Sequence, residues 1–225
     1  MLIVEKKEPI LLIGGGDVSE QAYQELKSTV AAVVAADGGA NFLHAHGDLP
    51  DAVIGDFDSI DDVVRGALPC DILFPIPEQN STDLEKSLTR VAAPVIFTLG
   101  FTGSRFDHQM AAQTALVRFA HKSVIHIGHQ DVMFLCPPEF RISLPVGARL
   151  SVYPMAPMRV TSRGLRWPLD GLDLSPIGQI ATSNEVTGAI ELRPQAPHAV
   201  IVASRQYLSA IASALCAPQA RWPDA

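Results

Sequence analysis

Asp56 and Asp58 stand two residues apart around Phe57, just past the apolar run Ala52-Val53-Ile54 and Gly55. Like charges at that spacing repel unless a cation or a hydrogen-bonded partner sits between them. Three more polar clusters share the setting. Asp37-Gly38-Gly39 follows an apolar run ending at Ala36. Gln79-Asn80-Ser81-Thr82-Asp83 opens a segment of helical spacing that carries Lys86. The stretch GFTGSRFDH follows Pro94 to Leu99 and supplies Gly100, Gly103, Arg105, Asp107 and His108. Hard oxygen ligands in this number suit Mg2+, which takes one or two carboxylates, several waters and phosphate oxygens. No thiolate or imidazole set competes for zinc. Glycines let backbone N–H groups approach a phosphate closely, Arg105 can fork onto one, and Lys86 adds a point charge. A metal bridging two phosphate oxygens beside a clamping arginine is the apparatus of phosphoryl-type transfer. There is no GxxxxGK[ST] sequence, and GGGDVS at residues 14–19 falls one position short of GxGxxG, so a dinucleotide reading carries little weight.

Each piece has a plainer reading. Asp37 could cap a helix, and Thr82 with Glu85 three residues on has the spacing of a capping box. Asp56 and Asp58 could form a solvated turn, and Lys86 could be a surface lysine. Arg105 and Asp107 could be a local ion pair of little worth. His44, His46, His126 and His129 suggest a metal set, but no carboxylate pairs with them in sequence. The functional reading rests on all four clusters falling at equivalent positions in the chain.

Those positions are ends of strands. Pro9 to Ile13, Val30 to Ala36, Asp51 to Gly55, Cys70 to Pro75, Pro94 to Leu99 and Val124 to Ile127 read as strands. Val18 to Lys27, Ala40 to His46, Thr82 to Val91 and Asp107 to Ala120 have helical spacing. Apolar strands alternating with amphipathic helices predict a mostly parallel sheet with helices on both faces. In such sheets ligands bind at the carboxyl ends of the strands, where the four clusters lie. Beyond about Gln130 the punctuation changes, with 11 of the 17 prolines. Short strands are expected at Val132 to Leu135, Arg149 to Tyr153, Arg159 to Thr161, Ile177 to Ala181, Ala189 to Arg193 and Ala199 to Ala203. This predicts an all-β sandwich. The expected division is therefore an α/β domain over 1–130, a β-sandwich over 131–204, and a helical extension with a frayed tail over 205–225.

Composition narrows the partners. The 225 residues are 48% hydrophobic with a formal net charge of −7 and no basic block, which argues against nucleic acid or an anionic membrane as partner. The longest apolar stretches are too short to span a bilayer. Glu5, Lys6, Lys7 and Glu8 interrupt the first thirteen residues, unlike a secretory signal. Three cysteines without metal-ligand spacing read as free thiols in a reducing cytoplasm.

ADGGANFLHAHGDLPDAVIGDFDSI, then NSTDLEKSL, then LGFTGSRFDHQMA closely resemble the thiamine pyrophosphokinases, and GLRWPL at 164–169 with TSNE at 182–185 resembles that family's thiamine-side segments. The resemblance spans roughly residues 10 to 203. It implies an α/β domain followed by a β-sandwich, in a homodimer with active sites between subunits. It implies transfer of a pyrophosphoryl group from ATP to the hydroxyethyl oxygen of thiamine, giving thiamine diphosphate and AMP. On this resemblance Asp56, Asp58 and Asp83 hold Mg2+, with Gln79 nearby. Asp107 either completes that shell or accepts the alcohol proton. Arg105, Lys86 and the Gly100–Gly103 turn grip phosphate, and Asp37, Gly38, Gly39, Thr82 and His108 lie on the ATP side. Leu165, Trp167, Ser183 and Asn184 face thiamine, Trp167 through its flat ring. Its alternative is a core tryptophan, and that of Ser183 and Asn184 a shaped turn. EQNSTD departs from the DQD that often opens this family segment, because Asn80 removes one carboxylate. Two rival functions share the same rim: a pyrophosphokinase for another alcohol such as a hydroxymethylpterin, and a nucleotide or thiamine binder without turnover.

Overall fold

In a computed structural model, which describes residues 1–103, 105–217 and 221–224, the chain divides into two compact units. The first holds Met1–Ala115 with His126–His129, and the second holds Leu116–Ile125 with the chain from Gln130 onward.

The apolar runs of the first unit become strands because their residues are buried or half-buried, apart from the strand-end residues Glu5 and Pro75. They are β1 (Val4–Glu5), β2 (Ile10–Ile13), β3 (Val33–Ala36), β4 (Ala52–Gly55), β5 (Leu73–Pro75), β6 (Val91–Ala92), β7 (Ile96–Leu99) and β8 (Val124–Ile127), of which Val124 and Ile125 are counted with the second unit. All four residues of β2, β4, β7 and β8 are buried, the mark of strands covered on both faces. The strand order is β8-β7-β2-β3-β4-β5, and β7, β2, β3, β4 and β5 pair in parallel. Sequence order reverses direction across the sheet at β2, which makes the ends of β2 and β7 a natural crevice for a ligand. β1 and β6 form a separate parallel pair.

The connecting helices are α1 (Glu20–Lys27), α2 (Gly39–Ala45), α3 (Asp62–Ala67), α4 (Asp83–Leu88) and α5 (Phe106–Arg118). α1 starts at Ser19, whose hydroxyl accepts the Ala22 N–H, and it buries Ala22, Tyr23 and Leu26 on one face. α4 opens with the capping box foreseen in sequence. Thr82 Oγ1 accepts the Glu85 N–H at 3.3 Å, and Glu85 accepts the Thr82 N–H at 3.0 Å. α3 has no counterpart among the expected helices, because Val63, Val64 and Gly66 in a six-residue segment weaken the helical signal.

From Gln130 onward the second unit's regular elements are strands until its final turn and helix: β9 (Asp131–Leu135), β10 (Phe140–Ile142), β11 (Arg149–Pro154), β12 (Val160–Leu165), β13 (Ala181–Pro194) and β14 (Ala199–Ser204). The first part of β13 pairs with β11, which pairs with β14 and then β9; its second part pairs with β10 and β12, all antiparallel. β13 thus belongs to both layers. The short strand expected over Ile177 to Ala181 is instead a turn. Pro176 and Gly178 bend the chain there, and Ile177 is 100% exposed. The strand expected over Ala189 to Arg193 is the end of the fourteen-residue β13, which runs through Gly188 without a break. After β14 a 3-10 turn at Arg205–Tyr207 leads into α6 (Leu208–Leu215), which buries Ile211 and Leu215. Part of the expected tail, residues 218–220 and 225, lies outside the described residues. Among the described residues no helix is long and apolar enough to cross a membrane.

Candidate active site

A cleft of about 490 Å³ opens at the carboxyl ends of the parallel strands. The loop after β2 brings Gly15 and Gly16, β3 ends into Asp37 and Gly38, and β4 delivers Asp56 and Asp58. Gln79, Thr82, Asp83 and Lys86 come from the start of α4, and Gly100, Arg105 and His108 from the turn after β7 and the start of α5. The four clusters of the sequence therefore share one cavity within one unit. Gly39, Gly103 and Asp107 do not line it.

Carboxylate oxygens of Asp37, Asp56 and Asp58 lie within 4.8 Å of one another. The acids meet because the paired strands β3 and β4 end side by side and the backbone turns sharply there. Asp37 has φ 44° and Phe57 φ 68°, both left-handed. Gly55 makes room for the group, since a Cβ there would lie 2.7 Å from the Asp37 Cβ and 3.0 Å from its Oδ1. Asp37 is no helix cap. Its Oδ2 accepts the Ser59 N–H at 3.1 Å, and its Oδ1 is buried with no hydrogen-bond partner among the described residues. Asp56 Oδ1 is left in the same state. Buried carboxylate oxygens without donors, beside two other acids, fit a hard divalent cation.

Charge inside the cleft is partly answered by Lys86. Its ammonium is 2% exposed and donates to Asp56 Oδ2 at 2.8 Å and to Asp83 Oδ1 at 3.1 Å. Expected to meet phosphate, Lys86 here holds two carboxylates, so its placement is neither the bland surface one nor free for a ligand. Burial lowers the Lys86 pKa, but the bonds to Asp56 and Asp83 outweigh it and leave the group above the ordinary lysine value. The hydrogen bond from Lys86 holds Asp56 below the usual carboxylate range, with help from Gln79, whose Nε2 donates to Asp56 Oδ2 at 2.8 Å. Asp83 is raised because burial and the charges of Asp56 and Asp58 exceed what Lys86 gives it. Burial also raises Asp37, with Asp83 adding to it. These acids are poised to gain from a positive charge arriving among them.

At the mouth, Arg105 Nη2 donates to Asp107 Oδ2 at 2.7 Å and Nε to Oδ1 at 3.2 Å. Both side chains are exposed. The hydrogen bond from Arg105 holds Asp107 down to about 2. Sequence reasoning missed Asn41 and Ser59. Asn41 Nδ2 donates to the Ser59 carbonyl at 2.9 Å and its Oδ1 accepts the Asp61 N–H at 3.0 Å, which sets the loop that carries Asp58. Nothing in their spacing marked them. Asp37 did carry the signal, an acid at a strand end before two glycines.

The four thiamine-side residues all lie in the second unit. Trp167 is 53% exposed, so it is not a core tryptophan, and the Arg166 guanidinium sits 5.0 Å from its ring centre. Asn184 is buried, and its carboxamide is spent on the Trp167 backbone. Ser183 is exposed with φ 58°, and its N–H donates to Ser151 Oγ at 2.9 Å. Leu165 is buried at the end of β12.

Acids gathered at the ends of a parallel sheet, walled by glycine loops, mark the α/β unit, and the same chain carries a strand-rich second unit. Residues 23–127 match the thiamin pyrophosphokinase catalytic domain, and residues 139–193 match the thiamin pyrophosphokinase vitamin B1 binding domain. The chain belongs to the thiamin pyrophosphokinase family. It is 31% identical over 156 residues to thiamine pyrophosphokinase 1 of rice (Oryza sativa subsp. japonica), covering 61% of this chain and 59% of that protein, less than two thirds of the relative's length. It is 29% identical over 176 residues to thiamin pyrophosphokinase 1 of Caenorhabditis elegans, covering 68% and 71%. The fold is similar to that of yeast thiamin pyrophosphokinase, with a TM-score of 0.75 at 16% identity over 95% of this chain and 94% of that one. It is likewise similar to the enzyme from Candida albicans, with a TM-score of 0.73 at 18% identity over 89% and 91%.

Proposed function

We propose that the protein is a thiamine diphosphokinase that moves the pyrophosphoryl group of ATP onto the hydroxyl of thiamine, releasing AMP. The observation that carries this reading is the meeting of Asp37, Asp56 and Asp58 in one cleft, two of them with a buried oxygen that lacks a donor. Asp56 and Asp58, with Asp83 across from them, would hold Mg2+, and Asp37 joins that set. The ion, when bound, would spread the charge of the phosphate oxygens. The remaining work is positioning and charge neutralisation, which carry most of such a barrier.

The residues divide that work. Lys86 and Gln79 fix the orientation of Asp56. The Gly15–Gly16 and Gly100 segments present backbone to the phosphates, and Gly38, Thr82 and His108 border the nucleotide. Arg105 and Asp107 neutralise each other in this state. A phosphate competes for Arg105, and an Asp107 released from it regains basicity toward the alcohol proton. In the second unit Trp167 offers an exposed ring to the aromatic, cationic vitamin, on a backbone held by Asn184, with Ser183 and Leu165 beside it. Trp167 and the carboxylates belong to different units, and family likeness supports a homodimer. Three unpaired cysteines agree with a cytoplasmic setting.

Acceptor choice tests the reading. AMP release is measured with Mg-ATP plus thiamine and with Mg-ATP plus a hydroxymethylpterin. Turnover with thiamine alone is expected. Turnover only with the pterin overturns the substrate, and turnover with neither overturns the enzyme.

A further inference from the structure

Asp17 and His129 stand outside the cleft and are not accounted for by the chemistry above. His129 Nε2 lies 2.8 Å from Asp17 Oδ2. Asp17 sits in the loop after β2, and His129 follows β8. In the sheet β7 lies between those two strands. A bond between the loops after β2 and β8 therefore passes across the loop after β7, which is the Gly100–Gly103 turn.

The packing agrees. Gly103 has φ +110°, and a Cβ on it would lie 2.9 Å from the Asp17 Cβ and 3.4 Å from its Oδ2. The turn thus runs directly against the Asp17 side chain. One step earlier the two loops are joined by backbone, since the Gly16 N–H donates to the Gly100 carbonyl at 2.9 Å and the Gly14 N–H to that of Leu99 at 2.8 Å. Gly16 and Gly100 both line the cleft, whereas neither Asp17 nor His129 does. An unengaged carboxylate this close to a phosphate-facing turn would repel a polyphosphate. Bonded to an imidazole N–H, it is turned aside and its charge is partly met.

We propose that the Asp17–His129 pair is a strap that sets the two glycine loops for the nucleotide, making both residues positioning residues. The inference rests on the nucleotide reading of the cleft. Both groups are more than half exposed, 62% and 51%, so the coupling is modest.

The test uses the full-length protein with His129→Ala, Asp17→Ala, the double variant and His129→Gln. Binding of Mg-ATP is measured by calorimetry, KM for ATP and for thiamine by AMP release, and thermal stability alongside. Each alanine variant is expected to raise the ATP Kd and KM about three- to fivefold. The thiamine KM, kcat at saturating ATP and the melting temperature should not move. The double variant should lose no more than either single one, and His129→Gln, which keeps a donor, should recover most of the loss. Unchanged ATP affinity overturns the strap. So does a parallel worsening of both KM values with a lowered melting temperature, which marks a purely structural role. If wild-type protein binds Mg-ATP but makes no AMP with thiamine, the proposed reaction fails while the calorimetric comparison still decides the strap.

Discussion

The carboxamide of Asn184 reads both polar groups of the Trp167 backbone: its Oδ1 accepts the Trp167 N–H at 3.1 Å and its Nδ2 donates to the Trp167 carbonyl at 2.7 Å. The exposed ring therefore projects from a peptide held by a buried amide on another strand. Asn184→Ala takes this partner from the Trp167 N–H and carbonyl and from the Glu185 N–H, at a cost of about 2 kcal/mol to folding. The thiamine KM should rise while the ATP KM stays put. Urea denaturation and the two KM values check this, and an unchanged thiamine KM would show that the ring does not need its tether.

Lys86 is the cleft's internal counter-ion. Lys86→Met strips Asp56 and Asp83 of their shared partner and should cost about 3 kcal/mol. A divalent cation can substitute for the lost charge. Mg2+ should therefore raise the melting temperature of the variant more than that of the wild type. Equal gains in both proteins would mean that the acids and the ion do not share a site.

Asp58→Asn keeps shape and removes charge. Turnover should fall by about a hundredfold or more, with a milder effect on thiamine affinity. Folding stability should hold or rise slightly, because one like charge leaves the cluster. Steady-state kinetics and thermal melts measure both, and full activity in this variant would remove Asp58 from the reaction.

His126 makes stability depend on pH. It is buried within β8, with Nε2 donating to the Ala112 carbonyl at 3.0 Å and the Thr98 hydroxyl at Nδ1. Burial holds its pKa down to about 4 from an ordinary 6.5. Above pH 6.5 the ring is neutral in folded and unfolded chains alike. Between 6.5 and 4 the unfolded chain takes up a proton that the folded chain refuses, so stability falls as pH falls through this window. By pH 5 the loss is about 2 kcal/mol. Urea melts at pH 7 and pH 5 should show that drop in the wild type and a smaller one in His126→Gln. Parallel slopes would assign the acid sensitivity elsewhere.

Much of this arrangement was legible in the chain. The strands of the first unit announce themselves because burial on both faces demands unbroken apolar runs such as Ile10–Ile13. The rim acids follow from where those runs stop. The capping box of Thr82 and Glu85 is a local bond and reads locally. What stayed hidden depends on distant partners. Lys86 looks like any helix lysine until β4 delivers Asp56 against it. Asn184 looks like a turn residue until the chain near Trp167 crosses it. β13 hid in the second unit because Gly188 resembles a break, whereas only its pairing with three other strands shows that it continues.

That long strand has a mechanical corollary. One unbroken backbone is stitched to β11 near its start and to β10 and β12 near its end, so the two layers of the second unit cannot swing apart at a hinge. Ser183 and Asn184 ride on that strand and keep its fixed spacing, so any molecule that bound there would have to match an outline already set.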